Sequence, residues 1–147
     1  MGRIKLTIPP QKIFSTEIAV RITDINYGDH LGNDALVSIL HEARMQWLAS
    51  INYTELNIEN AALIMADLAV EYKAESFYGD ILLINIFIGE ITKVSFEIYY
   101  EITTNRNEIK ILISRAKTGM VCYDYDAKKV MSISEKFASI INDKIFP

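Results

Sequence analysis

Several groups that could move a proton or orient a water fall close together in one segment, Asp24-Ile25-Asn26-Tyr27-Gly28-Asp29-His30-Leu31-Gly32-Asn33. Asp24 and Asp29 offer carboxylates and His30 an imidazole, the side chains most used in general acid–base work. Each also has a quieter reading: Asp24 as a salt bridge or loop cap, Asp29 as a solvated loop acid, His30 as a backbone-bonding loop residue. The Asn26 amide can orient a water or a carbonyl, or it can bond its own turn. Asn33 stands where the loop gives way to a helical pattern. The free N–H groups of a helix start, here around Gly32 and Asn33, could hold a developing oxyanion, unless Asn33 or water caps them. Farther along, Asp67 is a second carboxylate with an ordinary outward-facing alternative, and Lys73, Arg115 and Lys117 could bind phosphate.

These groups need elements to hold them. Residues 12–23 alternate apolar and polar side chains (Phe14, Ile18, Val20, Ile22) and predict a first strand. Leu36, Ile39, Leu40, Ala43, Trp47 and Ile51 recur at three- and four-residue steps, so residues 33–51 predict one long amphipathic helix with Asn33 or Asp34 as its N-cap. Glu42 lies off that stripe and could reach an interface pocket or form a surface or interface ion pair; His41 and Arg44 follow the same logic and are not assigned catalysis. Residues 63–73, 81–91, 94–103 and 108–125 predict strands. In the first of these, Ile64, Ala66, Leu68, Val70 and Tyr72 are expected on one face, with Asp67 and Glu71 on the other. Tyr78-Gly79-Asp80, Asn105-Arg106-Asn107 and residues 124–129 predict reversals, and residues 134–141 a short final helix. A strand, a long helix and then hairpin-connected strands make an α+β architecture with an antiparallel sheet on one helix.

Composition limits what such a domain can do. At 147 residues, half of them hydrophobic, the chain fits one packed domain. A formal net charge of -4 with scattered lysines and arginines argues against nucleic-acid binding. The single Cys122 precludes an intramolecular disulfide, and no Cys/His cluster has zinc-ligand spacing. With no signal-peptide pattern at the start and no long uncharged apolar run, a cytoplasmic protein without membrane insertion is expected.

Taken together, Val20-Arg21-Ile22-Thr23-Asp24-Ile25-Asn26, the loop through Asp29-His30-Leu31-Gly32-Asn33-Asp34-Ala35, and His41-Glu42-Ala43-Arg44 resemble the 4-hydroxybenzoyl-CoA thioesterase-like family of the hotdog fold. That pattern runs arginine, two residues, an acid, any residue, an acid, two residues, glycine, His-Val-Asn-Asn, and then a helix with Glu-Ala-Arg. Tyr72, Tyr78-Gly79-Asp80 and Ala116-Lys117 extend the likeness over residues 13–137. The resemblance implies a curved antiparallel sheet wrapped around one long helix, in a homodimer or homotetramer with its active site at a subunit interface. It implies an acyl-CoA or acyl-carrier thioester as substrate, with coenzyme A entering only as part of it, no separate cofactor and no metal.

In site terms it implies the Asn33 amide as the donor to the thioester oxygen and Asp67 as an acid lent to the neighbouring subunit. Lys73, Arg115 and Lys117 become partners for the phosphates of coenzyme A, and Phe77, Tyr78 and Tyr123 groove or core aromatics. This sequence departs from the pattern in three places. Asn26 replaces the second acid, Asp29 replaces the glycine, and Gly32-Asn33 replaces Asn-Asn. An amide is neither nucleophile nor base, so the expected activity is thioester hydrolysis with Asp29, Asp24 or a neighbour's Asp67 activating water. Two other readings are a non-catalytic acyl-thioester-binding hotdog protein and a hotdog hydratase or dehydratase. The latter's motif resembles Asp24, Asn26 and His30 with one additional residue before the histidine.

Overall fold

A computed structural model describes residues 2–146. The chain runs through β1 (Lys12–Ala19), a 3-10 turn (Ile22–Asp24), α1 (Asn33–Ser50), β2 (Ala62–Tyr72), β3 (Ile81–Ile91), β4 (Ser95–Arg106), β5 (Ile109–Asp124), β6 (Lys129–Val130) and α2 (Glu135–Ile145). All paired strands are antiparallel, in the order β1-β3-β4-β5-β2, with β6 attached to β5. The two-residue period of a strand puts Leu82, Ile84 and Ile86 of β3 and Phe96, Ile98, Tyr100 and Ile102 of β4 on the buried side. Leu36, Ile39, Leu40, Ala43, Trp47 and Leu48 of α1 complete the same core. Each fully buried large side chain in it contributes about 1.5–3 kcal/mol.

Two features of the core were not read from periodicity. Arg44 is buried under α1: its Nη1 donates to the Tyr100 hydroxyl (3.1 Å) and its Nε to Glu55 (2.5 Å). Tyr100 shares a further hydrogen bond with Thr118 (2.9 Å), and His41 bonds the other Glu55 oxygen (3.0 Å). The expected ion-pair roles of Arg44 and His41 therefore hold, but Arg44 belongs to the interior. At the other end of the core, the Ser134 hydroxyl caps α2 by accepting from the Phe137 amide (3.0 Å). Phe137 then packs against Tyr53, Phe96 and Trp47 at centroid separations of 5.5, 5.4 and 6.3 Å, and α2 runs on to Ile145.

Four boundaries differ from expectation. β1 stops at Ala19, because Val20 turns to exchange backbone hydrogen bonds with Gly79 and Asp80 and the Arg21–Asp24 pair closes a turn. Gly32, not Asn33 or Asp34, is the N-cap of α1. The β4–β5 hairpin turns at Asn107 and Glu108, both at positive φ (50° and 66°), with Arg106 still paired. Finally, a bulge between Met65 and Asp67 shifts the β2 register. It sets Ile64 opposite half-buried Val121, but Leu68 and Val70 opposite buried Thr118 and Ala116, so Ile64 does not share their face.

Candidate active site

The loop after β1 folds into two nested turns. Asn26 N–H donates to the His30 carbonyl (2.9 Å) and Asp29 N–H to the Asn26 carbonyl (3.1 Å). The Asn26 Oδ1 accepts from Gly28 N–H (2.9 Å), leaving its NH2 end with no protein acceptor among the described residues. Leu31 N–H donates to the Ser76 carbonyl (2.7 Å), which fastens this loop to the segment after β2. The β2 side is fastened again where the Tyr72 hydroxyl donates to the Asn33 carbonyl (3.0 Å). Burial holds the Tyr72 phenol above its ordinary pKa, helped by the nearby Asp34 carboxylate, so it stays a donor.

Between these segments opens a cleft of about 820 Å³, lined by Asn26, His30, Asn33, Asp34, Tyr72, Lys73 and Glu75 among others. Its size falls within the range of small-molecule sites. The helix N-terminus faces into it with a partial positive charge. Its amides are not equivalent. Gly32 N–H is spent on the Asp24 carbonyl (2.9 Å) and Asp34 N–H on Asn33 Oδ1 (2.8 Å). Asn33 N–H and Ala35 N–H have no acceptor among the described residues, and of these two residues only Asn33 lines the cleft.

The expected site residues thus separate into two sets. Asn26, His30, Asn33 and Lys73 meet at the cleft. Asp24 does not line it: its buried carboxylate accepts from Arg21 N–H (2.8 Å) and pairs with the Arg21 guanidinium (3.2 Å), so it caps the turn. Asp29 does not line it either, being an exposed turn residue at φ 63°. Asp67 lies on the outer side of the sheet, accepting from Lys117 Nζ (2.9 Å) and Gly119 N–H (3.0 Å). The Lys117 hydrogen bond holds the Asp67 carboxyl below its usual range, and the same contact raises the Lys117 ammonium. Lys117 also pairs with Glu97 (3.3 Å), and Arg115 sits opposite both Glu71 and Glu101. Each of these two cations is therefore flanked by carboxylates and away from the cleft. Lys73 keeps a place on its rim, 3.0 Å from Glu71.

Tyr72, Asp34 and Glu75 are cleft groups to which the sequence reading gave no site role. No local pattern marks Glu75; it arrives because Leu31 binds Ser76 across the fold. The segment carrying it is anchored by Arg106, whose Nη2 donates to the Glu75 carbonyl (2.8 Å) and to Asp80 (2.6 Å) and whose guanidinium lies 4.8 Å from the Phe77 ring centre. Among the described residues no three His, Cys, Asp or Glu side chains are placed to hold a metal ion, and no helix is long and apolar enough to cross a membrane.

An antiparallel sheet packed on one long helix, with the helix N-terminus opening into a cleft, defines the hotdog class of thioester-processing proteins. The chain belongs to the thioesterase-like superfamily, whose sequence profile matches residues 20–141. It is 26% identical over 137 residues to the 1,4-dihydroxy-2-naphthoyl-CoA hydrolase of Synechocystis, covering 91% of this chain and 98% of that one. The Synechocystis crystal structure superposes with a TM-score of 0.80. The DHNA-CoA thioesterase of Staphylococcus aureus shares the fold at 18% identity and a TM-score of 0.77, with 89% of each chain covered. So does a 4-hydroxybenzoyl-CoA thioesterase, solved as an aspartate-to-asparagine mutant with 4-hydroxybenzoyl-CoA, at 12% identity and 0.79, covering 87% of this chain and 97% of that one.

Proposed function

We propose that this protein hydrolyses an acyl-CoA thioester to the free acid and coenzyme A. The observation that carries the reading is the Asn33 N–H, unspent at a helix start that opens into the cleft. A backbone donor fixed there stabilises the oxyanion of a tetrahedral intermediate more than the neutral carbonyl, which is what accelerates acyl transfer. Lys73 at the rim suits a phosphate of coenzyme A. An aromatic acyl group, as in the Synechocystis relative, is the first substrate class to try.

The active unit in this reading is a homodimer, with pairing of dimers into a tetramer as its extension. β2 is an edge strand whose Met65 and Leu68 are 45% and 38% exposed, and an uncovered apolar edge invites a second sheet. A second reading, a thioester-binding protein without turnover, draws on Asn26 standing where the family keeps an acid and on Asp24 and Asp29 lying outside the cleft. The hydratase reading has less support, since Asp24 is tied to Arg21 and not to His30. Thiol release from short, medium, long and aromatic acyl-CoAs, read alongside direct binding, separates these. Turnover of at least one acyl-CoA is expected; saturable binding with no thiol release from any of them would leave the binding protein.

A further inference from the structure

The cleft places a base and a carboxylate together that the loop sequence alone does not pair. His30 Nδ1 lies 3.2 Å from the Leu31 carbonyl oxygen, which can only accept, so Nδ1 carries the proton of the neutral ring. Nε2 is then the free lone pair, and it lies 3.9 Å from Glu75 Oε1. The ring also rests against the first turn: a Cβ on Gly28 would stand 3.2 Å from Nε2 and 3.3 Å from Asn26 Oδ1. Imidazole and carboxamide are therefore neighbours beside the Asn33 amide in one cleft.

Of the other titratable groups of the cleft, Tyr27 is fully exposed to solvent and three more are turned to other tasks. Lys73 pairs with Glu71, and the Tyr72 hydroxyl donates to the Asn33 carbonyl. Asp34 Oδ1 folds back to within 2.7 Å of where a Gly32 Cβ would stand, over the positive end of α1.

We propose that His30 is the general base of this site, its ring held by the Leu31 carbonyl, and that Glu75 is the carboxylate that pairs with the ring once Nε2 is protonated, together doing the work that the family pattern gives to the acid replaced by Asn26. The step rests on the acyl-CoA hydrolase reading. His30 Nε2 takes a proton from water as the water oxygen bonds to the thioester carbon, and the carbonyl electron pair moves to an oxygen held by Asn33 N–H. When the carbon–sulfur bond breaks, the thiolate leaves with that proton returned from the imidazolium, giving carboxylic acid and thiol with one water consumed. Glu75 stabilises the imidazolium in between. The Asn26 NH2 positions the water. Glu75's side chain is 65% exposed, but its backbone is clamped by Arg106, so the carboxylate works from a fixed base.

The test uses the purified full chain and an acyl-CoA it turns over. His30→Gln is expected to lower kcat by about 10²–10³-fold with little change in KM, and to erase the ascending limb of the pH–rate profile. Glu75→Gln is expected to lower kcat by roughly 10-fold with little change in KM, and Glu75→Asp should restore part of it. His30→Gln retaining kcat within about threefold, or a larger loss in Asp34→Asn than in His30→Gln, would overturn the assignment of the base. NMR titration of the His30 ring in wild type and Glu75→Gln reads the pairing without activity: a ring that titrates identically in both overturns Glu75's role. If no acyl-CoA is hydrolysed while the titration shift is seen, the hydrolase reading and the base role fail and the pairing stands.

Discussion

Asp29 and Asn26 show why a residue's type did not settle its role. Position 29 needs a backbone at φ 63°, which glycine adopts freely and aspartate tolerates. The departure from the family glycine is thereby accommodated by the turn, and the carboxylate it introduces points no further than the loop surface. Asn26 keeps its place at the cleft while its Oδ1 closes the turn on Gly28, so the turn reading holds and its NH2 end is left at the cleft. Asp80 illustrates the same economy with a measurable consequence. Burial opposes ionisation of its carboxyl, but Arg106, the Phe77 amide and the Ser76 hydroxyl outweigh it and hold the group below the usual carboxylate range. A depressed folded-state pKa adds stability at pH values above the unfolded carboxyl's ~3.9, and that stability is lost as pH falls through the folded value. Asp80→Asn should therefore lower unfolding free energy near neutral pH by about 1–3 kcal/mol. The gap to wild type should close in acid. Urea denaturation at neutral and at strongly acidic pH checks it; an equal gap at both would mean the ionised form contributes nothing.

At the scale of elements, periodicity located each long strand and both helices because apolar faces must be buried whatever the loops do. Ile81–Ile91 was legible to the residue, and the α1 stripe from Leu36 to Trp47 packs as its spacing requires. What escaped depends on non-local contacts. The Met65/Asp67 bulge leaves no mark in composition, yet it turns Ile64 and Leu68 to opposite faces. Buried Arg44 reads as a surface cation until Tyr100 and Glu55, brought in from β4 and the segment after α1, are seen around it. The cleft was half legible: the loop and helix start announced themselves, whereas Glu75 and Tyr72 arrive through the β2 end. The bulged β2 edge also carries a prediction. Replacing Met65 and Leu68 together by lysine should convert a dimer into monomers in light scattering at micromolar concentration, because two charges would have to be desolvated in the joint. A wild-type chain that is already monomeric would remove edge pairing through β2.

For the molecule as a whole, sheet, helix and loops converge on one point, the amide at the start of α1. The sheet fixes where α1 lies, the Asp24 carbonyl and Asn33 Oδ1 consume the amides on either side of Asn33, and the 73–76 segment walls the cleft beside it. Asn33 is the first residue of the helix, where proline is well tolerated, and Gly32 before it already has the extended backbone that a following proline requires (φ -68°, ψ 147°). Asn33→Pro therefore deletes the N–H while keeping the helix, and Asn33→Ala deletes the side chain while keeping the N–H. The decisive measurement is kcat for acyl-CoA hydrolysis in these two variants, with circular dichroism to confirm retained structure. Asn33→Pro should lose about 10²–10³-fold in kcat and Asn33→Ala far less; an Asn33→Pro protein that hydrolyses at the wild-type rate would contradict an oxyanion role for the Asn33 amide.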